Sequence, residues 1–153
     1  MFSHVIRSDT VEIDAPIELV WDVLTDVARY SEWNPFTTCR ESELKVGMPV
    51  HLDVKLGLYR RKQTEWVRDL DPPHLLSWGM HMGAPFLLDS LREQRLTALS
   101  ETRCTYCSTD ALDGWLTPLA VISFGAIVRR GFNDVGNALK LRAEARYAET
   151  GSG

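Results

Sequence analysis

The stretch Val11–Phe36, VEIDAPIELVWDVLTDVARYSEWNPF, sets the order of the first elements of the fold. Residues 4–14 have the pattern of a first strand, which ends before Pro16. Proline lacks an amide hydrogen and has a fixed φ, so it suits the first turn of a helix. Apolar residues then recur at helical spacing over 17–24, and a second helical turn is predicted over 27–33. The stretch therefore predicts one strand followed by two short helices.

The middle of the chain changes from a helical period to a period of two. Val50–Leu56 alternates apolar with polar residues, as a strand with one buried face does. Further strands are predicted over 61–70, 76–82, 86–99 and 102–112. Short strands separated by turn residues, with no helices between them, indicate an antiparallel meander.

A long helical pattern from Thr117 to Tyr147 follows the strands. Before Val128 this helix is apolar on nearly all sides, which predicts that this half is buried on more than one side. Each of the glycines at 125, 131 and 136 weakens a helix by ~1 kcal/mol relative to alanine, so the pattern predicts close packing or bending there. The predicted fold is of the α+β class. A curved antiparallel sheet of about six or seven strands wraps around the C-terminal helix and leaves a cavity between them.

Length and charge limit the classes of function. The 153 residues are expected to form one domain over 1–150, followed by a flexible tail at 151–153. The net charge of −4 argues against nucleic acid as a partner, because phosphate binding needs a concentrated basic surface. Neither a signal-peptide pattern nor a transmembrane segment is visible, so a cytoplasmic location with reduced cysteines is expected.

Several motifs along the chain are typical of one fold family. They are Ile13–Pro16 with Val20–Asp26, then Tyr30–Phe36, Leu70–Trp78 and Asp113–Leu116. With these motifs the chain resembles the START-like (helix-grip) superfamily, and in particular its bacterial polyketide cyclase/dehydrase and lipid-transport group. The resemblance implies a fold that hosts carriers, sensors, cyclases and hydrolases. Because the motifs are packing and turn residues, they indicate the fold rather than one activity.

Large apolar side chains are the candidates for the wall of the cavity. Ligand pockets are mostly apolar with a few placed polar groups, and methionine adapts to irregular shapes. The alternative for any one of these residues is an ordinary core position. The predicted ligand-binding residues are Trp33, Phe36, Leu52, Val54, Trp66, Trp78, Met80, Tyr106, Phe124, Val128 and Phe132.

The sequence shows no assembled catalytic set, and Tyr106 and Arg92 are the only candidates for chemistry. Alternation cannot decide which face of strand 86–99 points inward, because a single bulge exchanges the two faces. An inward Arg92 would need a carboxylate, either Asp110 or one on the ligand. The residue type favours the other interpretation, an exposed ion pair on a solvated strand.

The histidine and cysteine patterns predict no metal site and no cofactor. The four histidines are expected on solvated faces, and the chain has no His-Glu-x-x-His motif. Cys104 and Cys107 are three residues apart on a predicted strand, so their sulfurs point to opposite faces and cannot bind one ion.

Three functions fit these patterns. The first hypothesis is a non-catalytic protein, monomer or homodimer, that binds a hydrophobic or amphipathic molecule (lipid, quinone or polyketide/aromatic) between the sheet and the last helix. The alternative is a metal-free polyketide cyclase or aromatase-like enzyme in which a cavity tyrosine or arginine polarises a carbonyl. The third is a regulatory or assembly module with its partner at residues 33–36. The cyclase hypothesis loses its candidate residues if either Tyr106 or Arg92 points to solvent, and it is favoured if both face the cavity within reach of one ligand atom.

Overall fold

The secondary-structure elements follow the predicted order. The computed structural model describes residues 1–151. Its elements are β1 (Phe2–Arg7), β2 (Val11–Ile13), α1 (Ile17–Thr25), a 3₁₀ helix (Val27–Glu32), β3 (Thr37–Cys39), β4 (Pro49–Leu56), β5 (Tyr59–Asp71), β6 (Leu75–His81), β7 (Asp89–Ser100), β8 (Arg103–Gly114) and α2 (Thr117–Gly151). Of the predicted tail, Gly151 belongs to α2, and residues 152–153 lie outside the described residues.

The strands form one antiparallel sheet in the order β1-β8-β7-β6-β5-β4-β3, with β2 also paired to β8. Consecutive strands from β3 to β8 are neighbours, as in a meander, and β8 returns to pair with the start of the chain. The predicted helix-grip fold is confirmed. The sheet has eight strands rather than six or seven, because the first predicted strand is divided in two and β3 was not predicted.

The division of the first strand has a local cause at Ser8. Its backbone N–H donates to Ser108 O at 2.8 Å, while its Oγ accepts from Ser108 N at 2.9 Å. The next amide, that of Asp9, leaves the sheet and donates to Asn133 Oδ1 of α2 at 2.8 Å. At these residues, hydrogen bonds to side chains therefore take the place of the backbone hydrogen bonds between strands. The alternation of apolar residues along the sequence does not predict this change.

The turn after the 3₁₀ helix brings Phe36 into the interior. Asn34 is buried, and its Oδ1 accepts hydrogen bonds from the amides of Phe36 and Thr37 at 3.0 and 2.9 Å. This side chain satisfies two backbone donors that would otherwise lack partners. The turn then continues directly into β3, and the Phe36 ring packs edge-on against Phe132 of α2 with a centroid separation of 5.9 Å.

The C-terminal half of α2 is part of the core. Phe132, Val135, Leu139 and Ala143 are all buried against the sheet and α1. At Gly131 the Phe36 ring lies against the helix backbone, so that a β-carbon there would be 2.2 Å from Phe36 Cδ1. Close packing, one of the two predicted reasons for glycine in this helix, therefore applies at this position.

The N-terminal half of α2 contradicts its prediction. The apolar pattern before Val128 predicted burial on more than one side, but Leu119, Ile122 and Phe124 are exposed. Only the side of the helix that faces the sheet is covered within the described residues. Apolar periodicity reports which sides of a helix avoid water, and it does not show whether the chain supplies a partner for each side.

Candidate functional site

A cavity of about 130 Å³ lies between the inner face of the sheet and the N-terminal half of α2. Ala120, Phe124 and Val128 cover it from the helix, and Phe36 closes it at the side of β3. The remaining lining residues come from β1, the strands β3 to β8, the loop before β7 and, further along, α2. They are Ile6, Thr37, Leu52, Val54, Leu56, Arg61, Gln63, Glu65, Met80, Met82, Leu88, Ser90, Arg92, Asp110, Leu112 and Phe132.

Seven of the predicted ligand-binding residues line this cavity together. They are Phe36, Leu52, Val54, Met80, Phe124, Val128 and Phe132. The strand members share an inward face because alternate residues of a strand point to the same side. Their role in binding stays a prediction, because a position in the wall does not by itself identify a ligand.

The other four predicted residues lie elsewhere. Trp33 is half-buried and packs edge-on against Tyr30, with ring centroids 5.2 Å apart. Trp66 is 44 % exposed because it follows the inward Glu65 by one position and so points away from the cavity. Trp78 and Tyr106 are fully buried but do not line the cavity. The Tyr106 hydroxyl instead donates to Gln94 Oε1 at 2.7 Å, and its ring lies between the sheet and Gly136 of α2.

Arg92 lies inside, where the sequence favoured an exposed ion pair. The residue is only 7 % exposed, and its guanidinium carbon lies 4.4 Å from the centroid of the Phe132 ring. Its Nε donates to Ser108 Oγ at 3.2 Å, and its Nη2 donates to Gln94 Oε1 at 3.4 Å. Both acceptors are neutral, so within the described residues the charge is stabilised by dipoles and an aromatic face rather than by a direct ion pair. The face of strand 86–99 that carries Arg92 is therefore the inner one.

Glu65 is a site residue that the sequence analysis missed. It is 5 % exposed, and Gln63 Nε2 donates to its Oε2 at 2.9 Å. Burial raises the pKa of the Glu65 carboxyl from 4.5 to about 7, and the hydrogen bond from Gln63 opposes that rise. The alternation of residues along β5 could have predicted that Glu65 points inward, because Glu65 shares a face with the buried Val67.

Asp110 completes the ionisable set. It pairs in register with Arg92 across β7 and β8, and its Oδ1 accepts a hydrogen bond from Ser90 Oγ at 2.7 Å. Burial raises the pKa of the Asp110 carboxyl, and the hydrogen bond from Ser90 opposes the rise. The cavity thus has the buried guanidinium of Arg92, the exposed guanidinium of Arg61, and two carboxyl groups whose proton affinity is increased by desolvation.

No cluster of three or more histidine, cysteine, aspartate or glutamate side chains within residues 1–151 is arranged to hold a metal ion. Cys104 is buried, Cys39 and Cys107 are half-buried, and all three are free thiols. The chemistry that this site can perform with its own groups is proton transfer and stabilisation of negative charge on oxygen.

Comparisons with known proteins agree with this architecture. A sequence model of the family described as polyketide cyclase/dehydrase and lipid transport matches residues 5–140. The ZhuI aromatase/cyclase from Streptomyces sp. R1128 has a similar structure, with a TM-score of 0.78 and 25% identity over 95% of this chain and 96% of that chain. No curated protein matches the chain in sequence.

Two further solved structures show the same fold at lower identity. A START superfamily protein from Mycobacterium smegmatis gives a TM-score of 0.70 at 16% identity, over 96% of this chain and 99% of that chain. Norcoclaurine synthase from Thalictrum flavum gives 0.63 at 14% identity, over 95% and 96%. Family and fold together support a ligand-binding or cyclase role. The chain belongs to the polyketide cyclase/dehydrase and lipid-transport family.

Proposed function

We propose that this protein is an acid–base enzyme of the cyclase or dehydrase kind that acts on a polyketide-like or phenolic molecule in the cavity. The observation that carries the proposal is the convergence of Glu65, Arg92 and Asp110 on an otherwise largely apolar wall. Burying an ionisable group costs several kcal/mol unless it is well compensated. Desolvated carboxyl groups in a cleft are therefore typical of active sites, and a container for apolar molecules does not need them.

The size of the cavity limits the substrate. An apolar protein cavity of about 150 Å³ holds a molecule of benzene, and the volume here is about 130 Å³. The cavity therefore accommodates about one six-membered ring, and a longer substrate extends through the mouth beside α2. The apolar wall suits the ring, while Arg92 suits an enol, phenol or β-keto oxygen on it.

The three ionisable residues have separate roles in this proposal. Arg92 donates hydrogen bonds to a carbonyl oxygen and stabilises the negative charge that an enolate places there. Ionised Glu65 accepts the proton from the carbon between two carbonyls, and the enolate carbon attacks a second carbonyl to close the ring. Protonated Glu65 then returns its proton to the new alkoxide. In the dehydration, ionised Glu65 removes a proton from the carbon beside the alcohol, the electron pair of that C–H bond forms the C=C double bond, and the C–O bond breaks as Asp110 gives its proton to the departing hydroxyl, which leaves as water. Glu65 then returns its proton through water to the Asp110 carboxylate, which restores both groups.

The pKa of Glu65 suits this double use. A group with a pKa of about 7 is present in both protonation states near neutral pH. Tyr106, one of the two catalytic candidates from the sequence, has no part in the proposal because it does not line the cavity. The similarity to an aromatase/cyclase at 25% identity is an independent support.

The second candidate function is the non-catalytic binding protein for a lipid, quinone or aromatic molecule. The largely apolar lining from Phe36, Leu52, Met80, Phe124 and Phe132 favours it. In that case the ionisable groups would fix the orientation of an acidic ligand oxygen and would perform no proton transfer.

The first experiment measures proton abstraction directly. Ethyl benzoylacetate is a one-ring β-keto ester, and its methylene protons exchange with D₂O at a rate that NMR measures. We expect the wild-type protein to accelerate the exchange at least ~100-fold over Glu65→Gln, the lower range for general acid–base catalysis. The rate should rise with pH and level off above about 7, because Glu65 must be ionised to accept the proton.

Glu93→Gln is the matched control, since Glu93 lies on the outer face of β7 and pairs with Arg95 at 2.8 Å. It should exchange at the wild-type rate. Equal rates for wild type and Glu65→Gln, with the probe still bound, would refute the enzymatic proposal and favour the binding protein. Native mass spectrometry of freshly purified protein then shows whether a stoichiometric lipid, quinone or aromatic molecule is carried.

A further inference from the structure

An uncharged apolar segment opens the last helix and stands at the mouth of the cavity. Residues 115–128, WLTPLAVISFGAIV, carry no charge. Ile122 is 84 % exposed and Leu119 is 62 % exposed, although both are ordinary core residue types. We propose that this surface docks the protein onto an anionic lipid bilayer. The surface, called the mouth surface below, consists of Leu58, Tyr59, Phe86, Trp115, Leu119, Ile122, Phe124 and Ile127, all of which are exposed.

The parts of the mouth surface are continuous. The hairpin between β4 and β5 reaches α2, since a β-carbon built on Gly57 would lie 3.9 Å from Ile127 Cδ1. On the other side, the Trp115 amide donates to Phe86 O at 3.1 Å, which joins the loop before β7 to the start of α2. Phe124 belongs both to this surface and to the cavity wall. The hairpin tip, the loop before β7 and the start of α2 thus present apolar side chains on one surface beside the opening, and on the other flank of α2 this surface continues from Ile122 to Phe2 of β1.

Cations outnumber carboxylates beside the mouth surface, where Asp134 of α2 is the carboxylate that lies with Lys55, Ile127 and Arg130. Lys55, Arg60, Arg61 and Lys62 flank the hairpin tip, and Arg130 follows the uncharged segment of α2. None of these five side chains forms an ion pair within residues 1–151, whereas Arg40, Arg95, Arg103 and Arg142 elsewhere do. The whole chain has a net charge of −4, so this local excess of cations runs against its overall charge.

This combination of features matches the surface of an anionic bilayer. An uncharged apolar stretch of ~10–14 residues is the length of an interfacial segment, and no helix of the described chain is long and apolar enough to cross a membrane. Basic residues beside such a segment attract anionic lipids, and Trp115 and Tyr59 are residue types that favour the interface between water and hydrocarbon. A symmetric contact with a second copy would instead bring the unpaired cations close to one another.

The docking proposal goes beyond the chemistry proposed for the cavity and does not depend on it. If the mouth surface rests on the bilayer, the opening beside Phe124 and Met82 faces the lipid. An apolar molecule would then enter or leave the cavity without crossing water. The proposal therefore assigns the bilayer as the source or the destination of the molecule that the cavity holds.

Flotation with vesicles tests the proposal on the full-length protein. We expect binding to phosphatidylcholine vesicles that contain 30% phosphatidylglycerol, with at least ~10-fold weaker binding to pure phosphatidylcholine and loss of binding at high salt. Leu119→Ser combined with Ile122→Ser should weaken binding at least ~10-fold. Arg130→Glu should weaken it at least ~5-fold, which is about the contribution of one cation.

Matched controls separate docking from a general loss of apolar or positive surface. Leu141→Ser with Val46→Ser changes two side chains that are 70 % and 58 % exposed but lie outside the mouth surface. Arg68→Glu makes the same change of charge as Arg130→Glu on an exposed residue of β5. Both controls should bind vesicles as the wild type does.

Two outcomes would overturn the proposal. One is equal binding of the mouth-surface variants and their controls. The other is absence of vesicle binding together with a dimer, measured by sedimentation velocity, that the Leu119→Ser and Ile122→Ser changes dissociate. That second result would assign the mouth surface to a second copy of the chain. Neither result would affect the exchange assay of Glu65.

Discussion

The two halves of α2 differ although they are one continuous helix. From Phe132 to Ala143 the helix is gripped by the sheet and α1, and the apolar side chains on the gripped side are buried, while Leu141 on the opposite side is exposed. From Thr117 to Val128 it covers a cavity on one side and exposes apolar side chains on the others. In the N-terminal half of α2, apolar side chains are thus exposed to water, although such residues are usually buried. In the cavity beneath that half, ionisable side chains are buried, although such residues are usually exposed.

This difference separates stability from function along one helix. The gripped half contributes packing energy, and the side of it that faces the sheet and α1 satisfies ordinary rules for a core. The half of α2 that covers the cavity (the covering half, residues 117–128) is associated with two features that cost free energy. Ile122 is exposed, and Glu65 and Arg92 are buried in the region that this half covers. Such departures are expected at functional sites, where they are offset by the rest of the fold. Four predictions test whether the division holds, in order of the expected change in the free energy of unfolding.

The largest effect is expected for Leu139→Ala in the gripped half. Leu139 is fully buried, and removing its side chain leaves a cavity that should cost about 2–5 kcal/mol. Leu119→Ala makes the same change in the covering half, where it should cost at most about 0.5 kcal/mol. Urea unfolding followed by circular dichroism measures both. Similar losses in the two variants would contradict the division of α2.

Glu65 should make stability fall with pH. Its pKa is 4.5 in the unfolded chain and about 7 in the folded protein, so the folded state holds the proton more tightly. The stabilising contribution is fully present below pH 4.5 and is lost as pH rises to about 7, at a total cost of about 3 kcal/mol. Glu65→Gln should remove this component of the decline when unfolding is measured between pH 4.5 and 8. Glu93→Gln should keep the wild-type slope, and a parallel slope in Glu65→Gln would show that the carboxyl is ionised in the folded state throughout.

Substitution by alanine at two glycines of α2 should change the free energy of unfolding in opposite directions. At Gly131 the new methyl group would collide with the Phe36 ring, and overpacking of about 1–3 kcal/mol should exceed the ~1 kcal/mol gained in helix propensity. At Gly125 the nearest atom is Val121 Cγ1 of the same helix at 3.4 Å, so Gly125→Ala should stabilise by up to ~1 kcal/mol. Thermal and urea unfolding measure the signs. Destabilisation by both changes would mean that the covering half is packed as tightly as the gripped half.

The smallest effect is expected for Tyr106→Phe, between the sheet and the gripped half of α2. The change removes the hydrogen bond from the hydroxyl to Gln94 Oε1, which should cost about 1 kcal/mol. Proton exchange of ethyl benzoylacetate should stay at the wild-type rate, because the hydroxyl does not reach the cavity. A large loss of exchange with little loss of stability would return Tyr106 to the catalytic set.

Much of the fold could be predicted because it depends on local patterns. The proline before α1, the alternation of β4 and the long final helix each follow from residue type and spacing. The division of the first strand and the existence of β3 could not be predicted in this way. They depend on the hydrogen bonds of Ser8 and Asn34, whose partners are set by the packed structure.

The candidate site was predicted less completely than the fold. Phe36, Met80 and Phe132 line the cavity as the apolar pattern indicated, while Trp66 points outward and Tyr106 packs beside Gly136 of α2. Arg92 was expected in solvent because isolated charges are rarely buried. The interior location follows from its register with Asp110 and from the aromatic face of Phe132, which come from other elements.

The sequence by itself determined the class of fold, the order of its elements and the largely apolar character of the surfaces between sheet and helix. These properties follow from the spacing of apolar, proline and glycine residues, which acts over a few neighbours. Only the tertiary structure decided that Glu65, Arg92 and Asp110 meet in one cavity and that the start of α2 remains uncovered. Strand register and the length of helix that the sheet can wrap set these outcomes, and both depend on contacts between residues far apart in the chain.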